Sequence, residues 1–371
     1  MTDNYLIYLE SAKIITYTAL AFILAMWWGT SLIQVLNWLK FWKKNTRLIA
    51  TTGEDLVVTK KFYEENEKKR LVPRGGGILV WATTLTFATV FWLVLKIEPT
   101  NKLSQFLNFV SRAETFIPLG TLFFGSILGL IDDALVTMEH GGNYKAGGLQ
   151  LSQRLGFVTI FSIAIGLWLY FKVNLYSFNV FWWQIDLAKI SLPFAINGAW
   201  LIIPITTIIL LATWSTGIID GFDGLTGGVL IPVYLCFAVL AFSKGFYDVA
   251  TLLMVMLGTI SAFLWFNIPP AKFFMGDTGT VGILMTLGVV AITTNFLYVL
   301  PIAGLVLFLT SGSAIIQVFS KKVFKRKVFL AAPLHHHFEA IGVPRNRITL
   351  YYWLVSSITS FIGLAVGLWF K

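Results

Sequence analysis

The sequence predicts an all-α, polytopic integral membrane protein of about ten transmembrane helices, and three observations carry that prediction. Hydrophobic residues make up 57% of the 371 and charged residues only 12%, against about 25% charged in a soluble domain. Ten apolar runs approach the roughly twenty residues that a helix needs to cross a bilayer. Lys and Arg also sort to alternate loops between those runs, as they do around real spans.

The runs fall at 14–38, 77–95, 116–131, 155–171, 199–213, 228–243, 249–266, 280–294, 296–319 and 349–369. The fifth and eighth are the weakest, being short or close to a neighbour. The loops after the odd-numbered runs hold 20 of the 28 Lys and Arg. That bias puts the loops at about 40–76, 132–154, 214–227, 267–279 and 320–348 in the cytoplasm and both termini on the periplasmic side. One integral domain over 1–371 is expected. The net charge of +10 is then largely a topology signal, with a basic face suited to anionic lipid head groups or a phosphorylated substrate. Nucleic acid is not an expected partner, because the basic residues border spans. The lone Cys236 lies in an apolar run and forms no intrachain disulfide. The aromatic outer loop around Phe181, Trp182 and Trp183 fits an interfacial belt.

The predicted cytoplasmic loops carry the polar chemistry. The third run ends in FFGSILGLIDD (123–133). Adjacent carboxylates at Asp132 and Asp133 repel each other and call for water or a cation. Alone, the pair reads equally as a solvated helix tip or as a site. The next such loop holds Asp220 and Asp223, which share a face at i, i+3 spacing. The one after it holds Asn267, Phe274, Gly276 and Asp277. The last holds His335, His336, His337 and Glu339. Carboxylates converging on one side with little basic compensation suit a hard divalent cation, magnesium above all. Three consecutive histidines cannot all face one zinc ion on regular structure, and cysteine ligands are absent, so phosphate-oxygen donors are their better role. The glycines of PRGGG (73–77) allow close approach of backbone N–H groups to an anion. The sum points to phosphoryl transfer onto a lipid phosphate at the membrane rim. A transporter would instead place charges deep within spans, with inverted repeats, and neither is seen in the sequence.

Four segments carry a resemblance: GLIDD (129–133), DGFDGL (220–225), NIPPAKFFMGDTG (267–279) and KVFLAAPLHHHFEAIG (327–342). In this order they resemble the polyprenyl-phosphate N-acetylhexosamine-1-phosphate transferase superfamily, and PLHHHFE resembles its muramoyl-pentapeptide branch over relatives that use other sugars. The resemblance implies a bacterial inner-membrane enzyme that moves phospho-MurNAc-pentapeptide from UDP-MurNAc-pentapeptide to undecaprenyl phosphate. Lipid I and UMP would be the products, Mg2+ the cofactor and a homodimer the expected assembly. It implies Asp277 as metal ligand, Asp132 as the base toward the lipid phosphate, and Asp133 as positioning the acceptor or metal. Asp220, Asp223 and Asn267 would line the nucleoside end, and Phe274 would either stack on uracil or pack. His335, His336 and His337 would contact the diphosphate with Gln317 at the same rim, and either Lys69 or Arg70 would match a family lysine ahead of the glycine turn. The chain departs from the family pattern at Trp214 and Gly217, which replace asparagines, and at Val136, which replaces a lysine. PRGGG stands for a threonine-rich turn, and Arg154 for a loop lysine. With Val136 beside the acidic pair, Arg154 or Lys145 is expected to supply its cation.

Overall fold

The computed structural model describes residues 2–42, 72–138, 148–190 and 197–371. Among them the chain is an all-α membrane bundle with nine helices long and apolar enough to span. It opens with α1 (Thr2–Trp38), α2 (Gly77–Ile97), a short α3 (Lys102–Leu107) and α4 (Phe116–Thr137). Next come α5 (Leu151–Trp168) with a π-helical turn at Leu169–Val173, and α6 (Ile202–Ser215) between two 3-10 turns. Then follow α7 (Leu225–Ser243), α8 (Tyr247–Asn267) and α9 (Asp277–Thr293). The chain closes with α10 (Leu300–Ala303), α11 (Leu305–Phe324), α12 (Leu334–Ala340) and α13 (Arg345–Trp369).

Each predicted run finds a helix, with three differences. α1 begins near Thr2 rather than residue 14. Glu10 and Lys13 do not end it, because they neutralise each other at 2.6 Å on one helical face. The expected ninth run breaks at Gly304, between α10 and α11. The eighth run, α9, has 17 residues, about 26 Å at 1.5 Å per residue, and falls short of a full span by length. It needs no match to the bilayer: every residue from Thr278 to Ile292 is buried, so α9 is the central post and the others surround it. The one sheet among the described residues, also unforeseen, is a hairpin of β1 (Ser177–Val180) and β2 (Trp183–Asp186), turned at Phe181 and Trp182. Trp182 and Trp183 remain exposed, as an interfacial belt requires.

Packing in lipid depends on close approach rather than on expulsion of water. In α1 the buried residues Ile14, Tyr17, Ala21, Ala25, Leu32 and Leu36 recur at helical spacing, and Ile15, Ile23, Trp27 and Val35 face outward. Among the described residues, α4 and α9 share the most extensive contact of any helix pair. A Cβ on Gly129 would overlap the Asp277 carbonyl, and one on Gly125 would come within 2.9 Å of Gly282. This small-residue stripe brings the C-terminal end of α4, with its two aspartates, against the N-terminus of α9.

Candidate active site

Four aspartates and two arginines meet where α4 ends and α9 begins. Asp133 is fully buried. Its Oδ2 accepts from the Thr278 backbone N–H at 2.9 Å, and Arg74 Nε lies 3.1 Å from its Oδ1. Thr278 is held in turn by Trp81 Nε1, which donates to its Oγ1 at 3.2 Å. Asp132 uses its other side. Its Oδ1 accepts from the Leu149 N–H at 2.7 Å, and Oδ2 pairs with Arg154 Nη2 at 2.7 Å. Arg154 Nη1 reaches Asp277 Oδ2 at 3.0 Å, so one guanidinium joins the first and third motifs. Its Nε donates to the Leu149 carbonyl at 3.1 Å, which fixes the direction of the fork.

Gly276 makes the turn that presents Asp277. Its φ of +72° suits glycine, and a Cβ there would strike the Asp133 carboxylate. Its N–H donates to Asp220 Oδ2 at 2.8 Å, and Thr226 Oγ1 donates to Asp220 Oδ1 at 3.0 Å. Burial raises the pKa of Asp220, against the lowering charge of Arg74. For Arg74, burial opposes the charge, but the carboxylates of Asp133, Asp277, Asp220 and Asp132 outweigh it and push its pKa up. Arg74 thus feels all four aspartates. Among the described residues, four carboxylates gather around two guanidinium groups.

The remaining sequence candidates form a wall beside this centre. Asp223 Oδ2 accepts from the Ala271 N–H at 2.9 Å. Asn267 accepts from the Gly224 N–H at 3.0 Å and donates to the Phe273 carbonyl at 2.8 Å. With Asp220 they tie the 220–224 loop to the 267–276 loop. Phe274 is half-buried, and its backbone pairs with Pro73 and Gly76. Gln317 accepts from the N–H groups of Val328 and Phe329, both at 3.0 Å, and donates to the Phe329 carbonyl at 2.8 Å. The Gln317 and Asn267 side chains are therefore engaged with backbone groups of neighbouring loops.

The histidines take three different settings, as consecutive residues must. His335 is buried, with Nε2 only 2.6 Å from where a Cβ on Gly221 would stand. Burial, then the charges of His336 and Arg345, hold its pKa well below the usual imidazole range. His336 Nδ1 lies 2.8 Å from Glu339, whose other oxygen accepts from Arg345 Nε at 2.6 Å. His337 Nδ1 accepts from the Leu330 N–H at 3.2 Å. Phe222, against both His335 and His336, links this wall to the Asp220 loop.

Arg154, not a lysine at position 136, supplies the cation beside the acidic pair; Val136 is buried against Gly148. Lys69, Arg70 and Lys145 lie outside the described residues. Sequence reasoning missed Arg74. Its signal was available in PRGGG, a cation placed directly before a glycine turn, but that turn was read for its N–H groups alone.

The fold and site define a polytopic helical membrane protein with aspartates and arginines gathered at the ends of its spans. Residues 115–295, which contain the acidic pair, Asp220, Asp223 and Asp277, match the family described as Glycosyl transferase family 4. Full-length relatives narrow the class. The chain is 30% identical to a phospho-N-acetylmuramoyl-pentapeptide-transferase of Anoxybacillus flavithermus, across 96% of this chain and 99% of the relative. It is 33% identical to one from Moorella thermoacetica, across 64% of the chain and 72% of the relative. It is 29% identical to that of Bacillus subtilis, across 82% and 87%. The chain belongs to the phospho-N-acetylmuramoyl-pentapeptide-transferase family.

Proposed function

We propose that this protein transfers phospho-MurNAc-pentapeptide from UDP-MurNAc-pentapeptide to undecaprenyl phosphate in the bacterial inner membrane, yielding lipid I and UMP. The observation that carries the reading is the Arg154 bridge: a cation already spans Asp132 and Asp277, from two different motifs, at the rim of the bundle. An oxygen of the acceptor phosphate forms a bond to the β-phosphorus of the donor. The bond from that phosphorus to the oxygen of UMP breaks, and UMP leaves with the electron pair. Asp132 takes the proton of the acceptor phosphate. Arg74 and Arg154 draw the two phosphorylated substrates to one place, and the neutral His335 wall flanks the donor.

Asp277 suits magnesium, which takes one or two carboxylates together with substrate phosphates and water. Among the described residues no three His, Cys, Asp or Glu side chains form a complete cage, and magnesium asks for none. Asp277 would hold the ion, which supplies charge neutralisation on the donor diphosphate. The expected orientation sets this face toward the cytoplasm with both termini in the periplasm, where 20 of 28 Lys and Arg place it.

The test is substrate choice. Purified protein with Mg2+ and undecaprenyl phosphate releases UMP from UDP-MurNAc-pentapeptide. Release from UDP-GlcNAc alone would overturn the reading in favour of a transferase for another surface glycan.

A further inference from the structure

The corner between α12 and α13 joins three charged or titratable side chains. Glu339 and His336 share a face of α12 at i, i+3 spacing, and Glu339 Oε2 lies 2.8 Å from His336 Nδ1. Its Oε1 takes Arg345 Nε, from the first residue of α13, at 2.6 Å. Burial works against a charge on Glu339, but the hydrogen bonds from His336 and Arg345, together with their charges, outweigh it and hold its pKa below the usual carboxylate range. Arg345 also lies over the Phe222 ring, 5.2 Å from its centroid, and that ring meets His336 edge-on at 5.1 Å. The corner is thereby packed onto the loop that carries Asp220 and Asp223.

These contacts fix where the imidazole protons sit. An ionised carboxylate only accepts, so His336 carries a proton on Nδ1. His337 is the reverse. Its Nδ1 accepts from the Leu330 N–H at 3.2 Å, so its neutral ring carries the proton on Nε2. Neighbouring histidines are held as opposite tautomers, and an anion meets them differently. His337 offers an N–H at Nε2 while neutral. His336 offers only a lone pair at Nε2 until its ring takes a second proton, and a carboxylate against the opposite edge favours that cation.

We propose that Glu339, braced by Arg345, is a positioning residue that turns His336 Nε2 outward and sustains the ring as an imidazolium, the form in which it binds the donor diphosphate; the assignment rests on a nucleotide-sugar donor meeting this wall. A staple for the helix corner needs only the Arg345–Glu339 pair. The second oxygen of Glu339 adds the setting of one imidazole. The groups that face His336 are Glu339, Arg345 and His335, whose ring lies 4.5 Å away and is kept neutral by burial.

Two measurements on the full chain test this. The first is nitrogen-15 NMR of protein labelled at histidine, with no substrate present. The His336 signals, assigned by their loss in His336→Gln, show a protonated Nδ1 in the parent and mixed tautomers in Glu339→Gln. Mixed tautomers already in the parent, or no change in the variant, would overturn the assignment.

The second is the donor KM between about pH 6 and pH 8.5 at saturating magnesium, the range in which an imidazolium loses its proton. A diphosphate esterified at both ends does not titrate there, so the parent's donor KM rises as the imidazolium is lost. In Glu339→Gln the rise begins at lower pH, and near pH 7 the donor KM exceeds the parent's about tenfold while the acceptor KM is unmoved. Arg345→Lys, which keeps a cation for Glu339, stays close to the parent, and Arg345→Met moves toward Glu339→Gln. A corner that only holds helices together would lower the unfolding midpoint in these variants without displacing the pH profile. Parallel donor-KM profiles would therefore reject the proposal, and transfer from UDP-MurNAc-pentapeptide with such profiles would spare the reaction. If UDP-GlcNAc proves to be the donor instead, the tautomer result is untouched and the same profiles are taken with it.

Discussion

Arg74 and Asp133 meet at 3.1 Å across the bundle, one from the turn before α2 and the other from the last turns of α4. Asp133 has no solvent access, so the pair is a structural clamp as well as an electrostatic one. Removing one partner of a buried pair strands the other charge. Arg74→Met is expected to lower stability by about 3 kcal/mol, the low end for such a loss, because Arg74 itself retains some solvent. Adding Asp133→Asn should restore much of that stability. Thermal unfolding of the single and double variants in one detergent checks the cycle; additive losses would remove the clamp.

Asp277→Asn should leave the bundle folded and reduce turnover by about 10²–10³-fold, the scale of losing one charge-stabilising group at a reacting phosphate. A magnesium titration of UMP release checks it. Near-normal magnesium-dependent turnover would remove Asp277 from the metal site. Asp132→Asn should lower kcat with little change in donor KM, and unchanged kinetics would dismiss Asp132 as the base.

Both of those carboxylates were legible in the sequence, because adjacent or glycine-flanked acids at the ends of apolar runs are conspicuous. The Arg74 pairing was not, since it joins residues far apart in the chain and nothing local marks it. Asn267 and Gln317 show the complementary limit. Their amides read as substrate contacts, and only the folded backbone reveals that Gly224, Phe273, Val328 and Phe329 already engage them. Spans were legible from hydropathy. α9, one of the two weak members, was short because a helix sheathed by protein is under no pressure to be twenty residues long.

Gln317→Leu should loosen the 328–330 segment, since two backbone N–H groups lose their acceptor at about 1–3 kcal/mol each when buried, less where water reaches them. Limited trypsin digestion reads this directly. Cleavage at the neighbouring Lys325, Arg326 or Lys327 should accelerate in the variant, and an unchanged digestion rate would count against the role.

His335 gives a pH dependence. Its folded pKa lies below the unfolded value of about 6.5, so the folded state keeps the ring neutral. Below about pH 6.5 the unfolded chain binds a proton that the folded chain refuses, and stability falls as pH drops. The stabilising contribution is present above pH 6.5 and lost through the folded pKa. Unfolding midpoints between about pH 5 and pH 7.5 should show a steeper acid-side decline in the parent than in His335→Gln; parallel profiles would exclude His335 as the source.

The seclusion of α9 has a mechanical consequence. Membranes differ in thickness, and spanning helices answer hydrophobic mismatch by tilting. The outer helices α1, α5 and α13 can absorb such tilt, but α9 is buried from Thr278 to Ile292 and registers against α4 through glycine contacts. Asp277 is therefore expected to keep its depth relative to Asp132 as the surrounding bilayer thins or thickens, which insulates the aspartate–arginine cluster from the thickness of the membrane around it.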